Sequence, residues 1–491
     1  MKNNILVYGI ISLSLCCFVD LSASWASFVF IALAALLFFQ QRSLGMPLPP
    51  VSLLLLANVF GYPIIVVVPW IYRELWAHMN PYIIELAMIW AVRGFAAFCC
   101  AYLLGDAFAR HLHRQNSQGW DDAESLAYIR YAVHAMGFLS VIAWALKSYH
   151  FGLGLTFIAS RVVLDVTSTQ SSALIMLEQL IALRDPFLFF FGLMQARRLT
   201  DRFMWLLLAG IAIGLLFEIM TIGSKGAIIR LLVIAALVIA FTTRRISLKQ
   251  LGAGALMALT IYMAFTIITE YRYILRDKNA RGQDVFDVSV QVETFAQAFM
   301  ASLPFTEKIE QRRTIVSEED VFNRISSGIF SFSHLLYYTG GRSPHEHAWE
   351  VFLLPVYSVV PRSLLEKPIF FSAGRFGREY FHFSYTAISV STMGSLYYAW
   401  GYGGILGGMA FLGATLAFLI RRVQRRGTAL NSVVLMAAMM MSLVNVGANL
   451  WDVGLTLCRL AVIMIGLYVC YPIVRRLRTG RAAMMPPITA G

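Results

Sequence analysis

The chain has 491 residues, of which 58% are hydrophobic and 14% are charged, and its formal net charge is +13. Soluble proteins carry roughly 25% charged residues, so this composition excludes a soluble globular protein, and its hydrophobicity excludes intrinsic disorder. Six cysteines are too few for a secreted disulfide scaffold of this length. Because apolar runs of about twenty residues recur along the sequence, we predict an all-α, polytopic integral membrane protein.

The hydrophobic runs predict about twelve transmembrane helices joined by mostly short loops. One long hydrophilic segment divides the chain into membrane helices 1–9 (residues 1–269), the long loop itself (residues 270–386), and a loop-to-span stretch with helices 10–12 (residues 387–491). The predicted spans cover residues 5–19, 24–39, 51–70, 82–104, 127–146, 174–196, 203–222, 226–242, 251–269, 403–420, 430–446 and 455–474.

Basic residues of the short loops fall mainly on one side of these spans, which predicts that this side is cytoplasmic. The arginine-rich segments at residues 197–202, 244–249, 421–426 and 475–481 then face the cytoplasm, as both termini do. The long loop consequently faces outward, and we expect interfacial helices within it. Since the basic excess follows the topology, it does not indicate nucleic-acid binding.

The end of the long loop carries cations among glycines and aromatic residues. Pro361-Arg362 is followed by Lys367-Pro368 and then by Gly374-Arg375-Phe376-Gly377-Arg378-Glu379-Tyr380-Phe381-His382. Guanidinium groups bind phosphate oxygens bidentately, and glycine lets the backbone approach a ligand closely. We therefore expect a phosphate ligand at four cations of this cluster, with lipid headgroups as the alternative ligand: Arg362, Lys367, Arg375 and Arg378.

A second candidate anion contact lies between two predicted spans. Gly223-Ser224-Lys225-Gly226 forms the connection, and Arg230 lies one turn inside the following span. The helix N-terminus adds a partial positive charge, so Lys225 and Arg230 together suit an anion. An ion pair between Arg230 and Glu218 is the competing interpretation.

Two further groups of charges accompany these contacts. Arg272 and Arg276 follow the ninth span and share one helix face, so they extend the outward cationic surface. Arg184 and Asp185 lie within the sixth span, where adjacent side chains point about 100° apart and need partners on other helices. Such charges serve structural pairing or line an ion path.

Two side chains beside the loop cluster are candidate bases. Glu379 and His382 could each take a proton from a hydroxyl group, and the sequence leaves the choice between them open. His345-Glu346-His347 lacks a third ligand, so we expect no metal site there. No nucleotide-binding motif is present in the sequence, and no cofactor is expected.

These features together resemble the Wzy-type O-antigen polymerases, which polymerise oligosaccharide repeat units. The resemblance covers the topology, with one large outer loop in the C-terminal third, and the local pattern described above. That pattern continues through Gly394 to Tyr398-Ala399-Trp400-Gly401-Tyr402-Gly403-Gly404-Ile405. Gly223-Ser224-Lys225-Gly226 is similar to the Ser-Arg-Gly element of the family, although Lys225 replaces its arginine and cannot bind bidentately.

The resemblance implies a GT-C-like fold and a glycosyltransferase of the bacterial inner membrane. Its substrate would be an undecaprenyl-diphosphate-linked oligosaccharide, polymerised at the periplasmic face into O-antigen, capsule or exopolysaccharide. Further partners would be membrane lipid and the chain-length regulator and flippase of the same pathway. Arg378, Glu379 and His382 would act in catalysis. The diphosphate would contact Lys225, Arg230, Arg272, Arg276, Arg362, Lys367, Arg375 and Arg378.

Three other functions remain open at the level of sequence. An O-antigen ligase would share the donor and topology but transfer the chain to a lipid A core sugar. A flippase or transporter of lipid-linked oligosaccharide would use the intramembrane charges instead. A noncatalytic subunit of a polysaccharide export complex would tolerate alanine at each loop arginine.

Overall fold

The structure is a computed structural model that describes most of the predicted membrane region and parts of the long loop. The described residues are 2–19, 22–43, 49–63, 80–112, 123–151, 172–222, 225–242, 287–302, 327–340, 390–426, 430–444 and 450–484, with single positions or pairs between 266 and 282 and at 353, 356 and 360.

Helices form the described part of the chain, and no strand occurs among these residues. They are α1 (Lys2–Cys16), α2 (Ala23–Ser43), α3 (Ser52–Gly61), α4 (Pro81–Leu112), α5 (Ala123–Phe151), α6 (Ser172–Ile181), α7 (Arg184–Ala196), α8 (Arg202–Ile222), α9 (Lys225–Thr242), α10 (Val288–Ser302), α11 (Ser327–Tyr338), α12 (Thr392–Arg426), α13 (Leu430–Val444) and α14 (Leu450–Met484).

Five of the described helices are long and apolar enough to cross a membrane: Ala23–Ser43, Pro81–His111, Leu126–Tyr149, Thr392–Val423 and Thr456–Ile473. Shorter apolar helices cover Asn4–Cys16, Arg202–Leu216 and Arg230–Thr242. These helices confirm the predicted class, a helical membrane protein. Twelve spans, a GT-C-like arrangement and the cytoplasmic position of both termini stay predictions.

Three packed helix pairs run parallel, which agrees with the order of the predicted spans. In the pair α5 and α8, Gly210 packs on Val141 and Gly214 packs on Trp144. The residue numbers therefore rise in the same direction along both helices, which makes the pair parallel. The pair α7 and α9 shows the same progression, from the Asp185–Arg230 contact to Gly192 beside Val238. These pairs correspond to predicted spans 5 and 7 and to predicted spans 6 and 8. Because successive spans cross a membrane in opposite directions, the two members of each pair should run in the same direction.

The third parallel pair, α4 and α12, is the most closely packed. A Cβ atom added to Gly105 would lie 2.7 Å from the carbonyl oxygen of Ala414, and one added to Gly413 would overlap the carbonyl oxygen of Phe98. Small residues let helix backbones approach in this way, and van der Waals packing then replaces the hydrophobic effect as the force between helices in lipid.

A buried carboxylate joins the C-terminal ends of α4 and α12. Asp106 is 1% exposed, and the Arg421 guanidinium holds both of its oxygens, with Nη2 at 3.3 Å from Oδ2. Arg110, one turn along α4, lies 3.0 Å from the same Oδ2 atom. Two-point contact between guanidinium and carboxylate fixes orientation as well as distance, so Asp106 sets the register of the two helices.

The sixth predicted span is not one helix, which corrects the prediction for residues 174–196. The structure divides it into α6 and α7 at a turn formed by Ala182 and Leu183. Pro186 explains the break, because proline has no N–H to donate and fits only the first turn of a helix. Ser140 of α5 donates a hydrogen bond to the last residue of α6, at the Ile181 carbonyl oxygen, 3.1 Å away.

A second break lies inside α12, at Trp400 (φ −137°, ψ 15°) and Gly401 (φ 68°, ψ −156°). The first arm, Thr392–Ala399, folds back so that Leu396 packs against Gly404 and Gly408. In a straight helix, residues 396 and 408 would be about 18 Å apart. The first arm is almost wholly buried, whereas the sequence predicts that these residues form the stretch before the tenth span.

Gly401→Ala is expected to destabilise the protein by about 1–3 kcal/mol, because the backbone conformation at this position suits only glycine. The matched controls are Gly403→Ala and Gly407→Ala, where an added Cβ meets no atom within 4 Å. Thermal denaturation of the purified protein in detergent measures the difference. Equal stability of all three variants would show that the break does not depend on Gly401.

The N-terminus of α8 is capped by a carboxylate outside the predicted span. The Met204 N–H donates to Asp201 Oδ1 at 2.9 Å, and His134 Nε2 of α5 lies 2.9 Å from Oδ2. Partial burial acts to raise the pKa of Asp201, but the Met204 and His134 contacts outweigh it and hold the pKa below its usual range. The ionised carboxylate therefore contributes stability above the unfolded pKa of about 3.9.

Asp201→Ala is expected to lower stability at pH 7 by about 1 kcal/mol, the usual effect of losing an N-cap. The difference from wild type should shrink as pH falls through the lowered pKa of Asp201, because protonation then removes the same interaction in the wild type. Thermal denaturation at pH 7, 4 and 3 measures this. Asp201→Asn, which keeps a capping oxygen, is the control, and a difference independent of pH would contradict the assignment.

Candidate functional site

Of the residues predicted to bind or act on substrate, Arg230 alone has a described side chain. Lys225 begins α9, and its backbone alone is described. The others lie outside the described residues: Arg272, Arg276, Arg362, Lys367, Arg375, Arg378, Glu379 and His382. Their roles stay predictions.

Arg230 belongs to a charged triad with Arg184 and Asp185, where the break between α6 and α7 meets α9. Asp185 Oδ2 lies 3.7 Å from Arg230 Nη1, and Asp185 Oδ1 lies 3.6 Å from Arg184 Nε. Neither sequence-based prediction for Arg230, an anion contact shared with Lys225 or an ion pair with Glu218, included Asp185. Glu218, the partner considered from sequence, has no described side chain.

The three side chains of the charged triad differ in burial. The side chain of Arg184 is 7% exposed, that of Asp185 is 14% exposed, and that of Arg230 is 40% exposed. Two guanidinium groups and one carboxylate give the triad a formal net charge of +1. The triad is therefore a cationic group that is buried at one end and accessible at the other, through Arg230.

The charged triad lies close to the start of α9. Arg230 is about 7.5 Å along the helix axis from Lys225, at 1.5 Å per residue. Charges at this depth are costly in a membrane and usually face a water-filled cavity or a ligand. The turn between α6 and α7 keeps local backbone hydrogen bonds, from the Leu183 N–H to the Leu180 carbonyl oxygen at 3.1 Å and from the Asp185 N–H to the Ala182 carbonyl oxygen at 3.3 Å.

The first arm of α12 begins with a group of polar contacts inside the bundle. Ser391 caps it, accepting from the Gly394 N–H at 3.1 Å, and the Ser391 N–H donates to Ser331 Oγ at 3.3 Å. The phenol of Tyr62, at the end of α3, hydrogen-bonds with the Ser391 side chain and the Met393 backbone. These contacts satisfy the N-terminus of the arm inside the protein.

Tyr62 also borders a small cavity between α3, α4, α12 and α13. Its polar lining consists of Asn58, Tyr62 and Thr392. The volume, about 20 Å³, admits one water molecule and excludes a sugar ring or a lipid chain. The cavity is therefore part of the packing around the arm and not a substrate site.

Within the described ranges, no group of three or more His, Cys, Asp or Glu side chains could hold a metal ion. Comparisons with protein-family models, with curated proteins and with solved structures give no match to this chain.

Sequence reasoning singled out Arg230, Arg184 and Asp185 but did not bring them together. Asp185 and Arg230 are on different helices, and no local spacing relates them. The Arg184-Asp185-Pro186 sequence inside an apolar run was the available signal, because proline after two charges favours a helix break. A break there would have directed attention to these charges as a functional group.

Proposed function

We propose that this chain is a membrane glycosyltransferase that polymerises undecaprenyl-diphosphate-linked oligosaccharide repeat units at the outer face of the membrane. The observation that carries the proposal is the charged triad, a net cationic group at a broken helix with Arg230 accessible. A lipid diphosphate is an amphiphile with two phosphates, so it requires cations at membrane depth. The composition and the resemblance of the outer loop to repeat-unit polymerases support the same reaction.

In this reaction the C1–O bond between the donor sugar and the diphosphate breaks. C1 bonds to a hydroxyl oxygen of the acceptor, the hydroxyl proton passes to a base, and the lipid diphosphate leaves with the bonding electrons. Arg230 would stabilise the charge that develops on the leaving group. Glu379 or His382 would supply the base, and Arg378 with the other loop cations would complete the diphosphate site.

Deletion of the gene in its native host tests the proposal. We expect surface polysaccharide to lose its ladder of chain lengths while a single repeat unit stays attached to the lipid core. Loss of all attachment, with lipid-linked polymer accumulating, would identify a ligase instead. An unchanged glycan profile would contradict a role in glycan transfer.

A second candidate function is transport of lipid-linked oligosaccharide. The two discontinuous helices favour it, since broken helices with polar ends form substrate sites in many transporters. Vesicles containing the purified protein separate the two functions: a transporter moves labelled lipid-linked sugar across the bilayer without changing its length, and a polymerase lengthens it.

A further inference from the structure

Asp185 shares its two carboxylate oxygens between two arginines on different helices. Oδ1 faces Arg184 Nε at 3.6 Å, and Oδ2 faces Arg230 Nη1 at 3.7 Å. Charge-assisted hydrogen bonds between guanidinium and carboxylate groups are typically about 2.7–2.9 Å long. Both contacts are therefore loose ion pairs, unlike the two-point contact between Arg421 and Asp106.

The burial of Arg184 explains why an acid is needed at this place. With 7% of its side chain exposed, this guanidinium is largely out of water, and an unpaired charge there would be strongly unfavourable. Asp185 neutralises one of the two cations. Arg230 is less dependent on this carboxylate, because 40% of its side chain is exposed.

We propose that Asp185 is an internal counter-ion, which pairs with Arg230 in the empty site and gives up this arginine to a phosphate of the lipid diphosphate. The inference rests on the proposed function and specifies how its substrate binds. The phosphate would take the place of the carboxylate at Arg230, and Asp185 would stay with Arg184. The exchange replaces one loose pair by a two-point contact and leaves no buried charge without a partner.

The counter-ion has a consequence for turnover. Substrate and leaving group carry the same diphosphate, so a site that bound it too tightly would retain the product. A carboxylate that competes for Arg230 weakens both complexes and returns the site to its empty state. Asp185 therefore lowers the affinity for lipid diphosphate and speeds its release.

Asp185→Asn tests this directly, because it removes the competing charge and keeps the size of the side chain. Thermal stability of the purified full-length protein in detergent is measured against the concentration of undecaprenyl diphosphate, with undecaprenol as the uncharged control lipid. We expect the variant to bind undecaprenyl diphosphate about 5-fold to 150-fold more tightly than wild type, the range of ordinary coupling between sites. Without ligand it should be less stable, since the buried Arg184 guanidinium loses its contact with a carboxylate.

Glu178→Gln is the matched control. It makes the same change of charge on α6, where Glu178 pairs with Lys147 at 3.1 Å and is 53% exposed. Its affinity for undecaprenyl diphosphate should equal that of wild type. An equal gain in both variants would mean that overall charge, and not the charged triad, sets the affinity, and would overturn the inference.

Asp185→Glu gives an independent result if the amide variant does not fold. Its longer side chain brings the carboxylate closer to Arg230, so the affinity should fall below that of wild type. If wild type binds undecaprenyl diphosphate and the Asp185 variants bind it with the same affinity, Asp185 does not act as a counter-ion. That result would leave the proposed function intact. Equal responses to undecaprenyl diphosphate and undecaprenol in every variant, wild type included, would contradict both.

Discussion

Asp106→Ala is expected to lower the free energy of unfolding by about 3–5 kcal/mol, the usual effect of removing one partner of a buried ion pair. The substitution leaves Arg421, whose side chain is 12% exposed, and Arg110 facing each other without the carboxylate between them. Repulsion and lost hydrogen bonds then act at the contact between α4 and α12. Thermal denaturation in detergent, followed by size-exclusion chromatography of the protein that stays folded, measures the loss.

Asp277→Ala is the matched control for this prediction. Asp277 also pairs with an arginine four residues later, Arg281, at 2.6 Å, but the two side chains are 51% and 72% exposed. Pairs exposed to this degree contribute about 0–1 kcal/mol. If both variants lost the same stability, Asp106 would have no special role in joining α4 to α12.

Arg230→Ala is expected to reduce polymer formation about 10-fold to 150-fold. The substitution removes a charge-assisted hydrogen bond to phosphate, which contributes about 1.5–3 kcal/mol. Each loss of about 1.36 kcal/mol in transition-state stabilisation lowers the rate about tenfold. Arg230→Lys should recover part of the activity, since lysine supplies the charge without the planar fork. The rate at which lipid-linked repeat units are joined by equal amounts of folded protein is the quantity to compare.

Arg110→Ala is the control for Arg230→Ala. Both arginines are exposed to the same degree, 38% and 40%, and both pair with an aspartate. Arg110 lies at the opposite end of the bundle from the predicted periplasmic face, and Asp106 keeps Arg421 as a partner. Polymer formation should therefore be unchanged in Arg110→Ala, and an equal loss in both variants would argue against a phosphate contact at Arg230.

The sequence was sufficient for the class of fold, because apolar length and composition are local properties. The relative directions of α5 and α8, and of α7 and α9, also agree with the predicted order of spans. The breaks at Leu183 and Gly401 were not predicted, since a continuous apolar run has the same length and hydrophobicity whether it forms one helix or two. Pro186 and the glycines around residue 401 were the local signals.

Contacts between distant residues could not be derived from one sequence. Asp106 and Arg421 are 315 positions apart, and neither position by itself indicates the other. The same holds for Asp185 and Arg230. Sequence reasoning found the cation because charges are rare in apolar spans, but only the three-dimensional packing of α7 against α9 shows which carboxylate it meets.

The most direct test of the proposed polymerase is reconstitution. Lipid-linked repeat units are extracted from the deletion strain, which should accumulate them, and are incubated with the purified protein in vesicles. We predict that products of increasing length form on undecaprenyl diphosphate without nucleotide sugar or lipid A core, and that Arg230→Ala greatly reduces them. Unchanged chain length in the presence of folded wild-type protein would contradict the polymerase, and transfer that requires the lipid A core would identify a ligase.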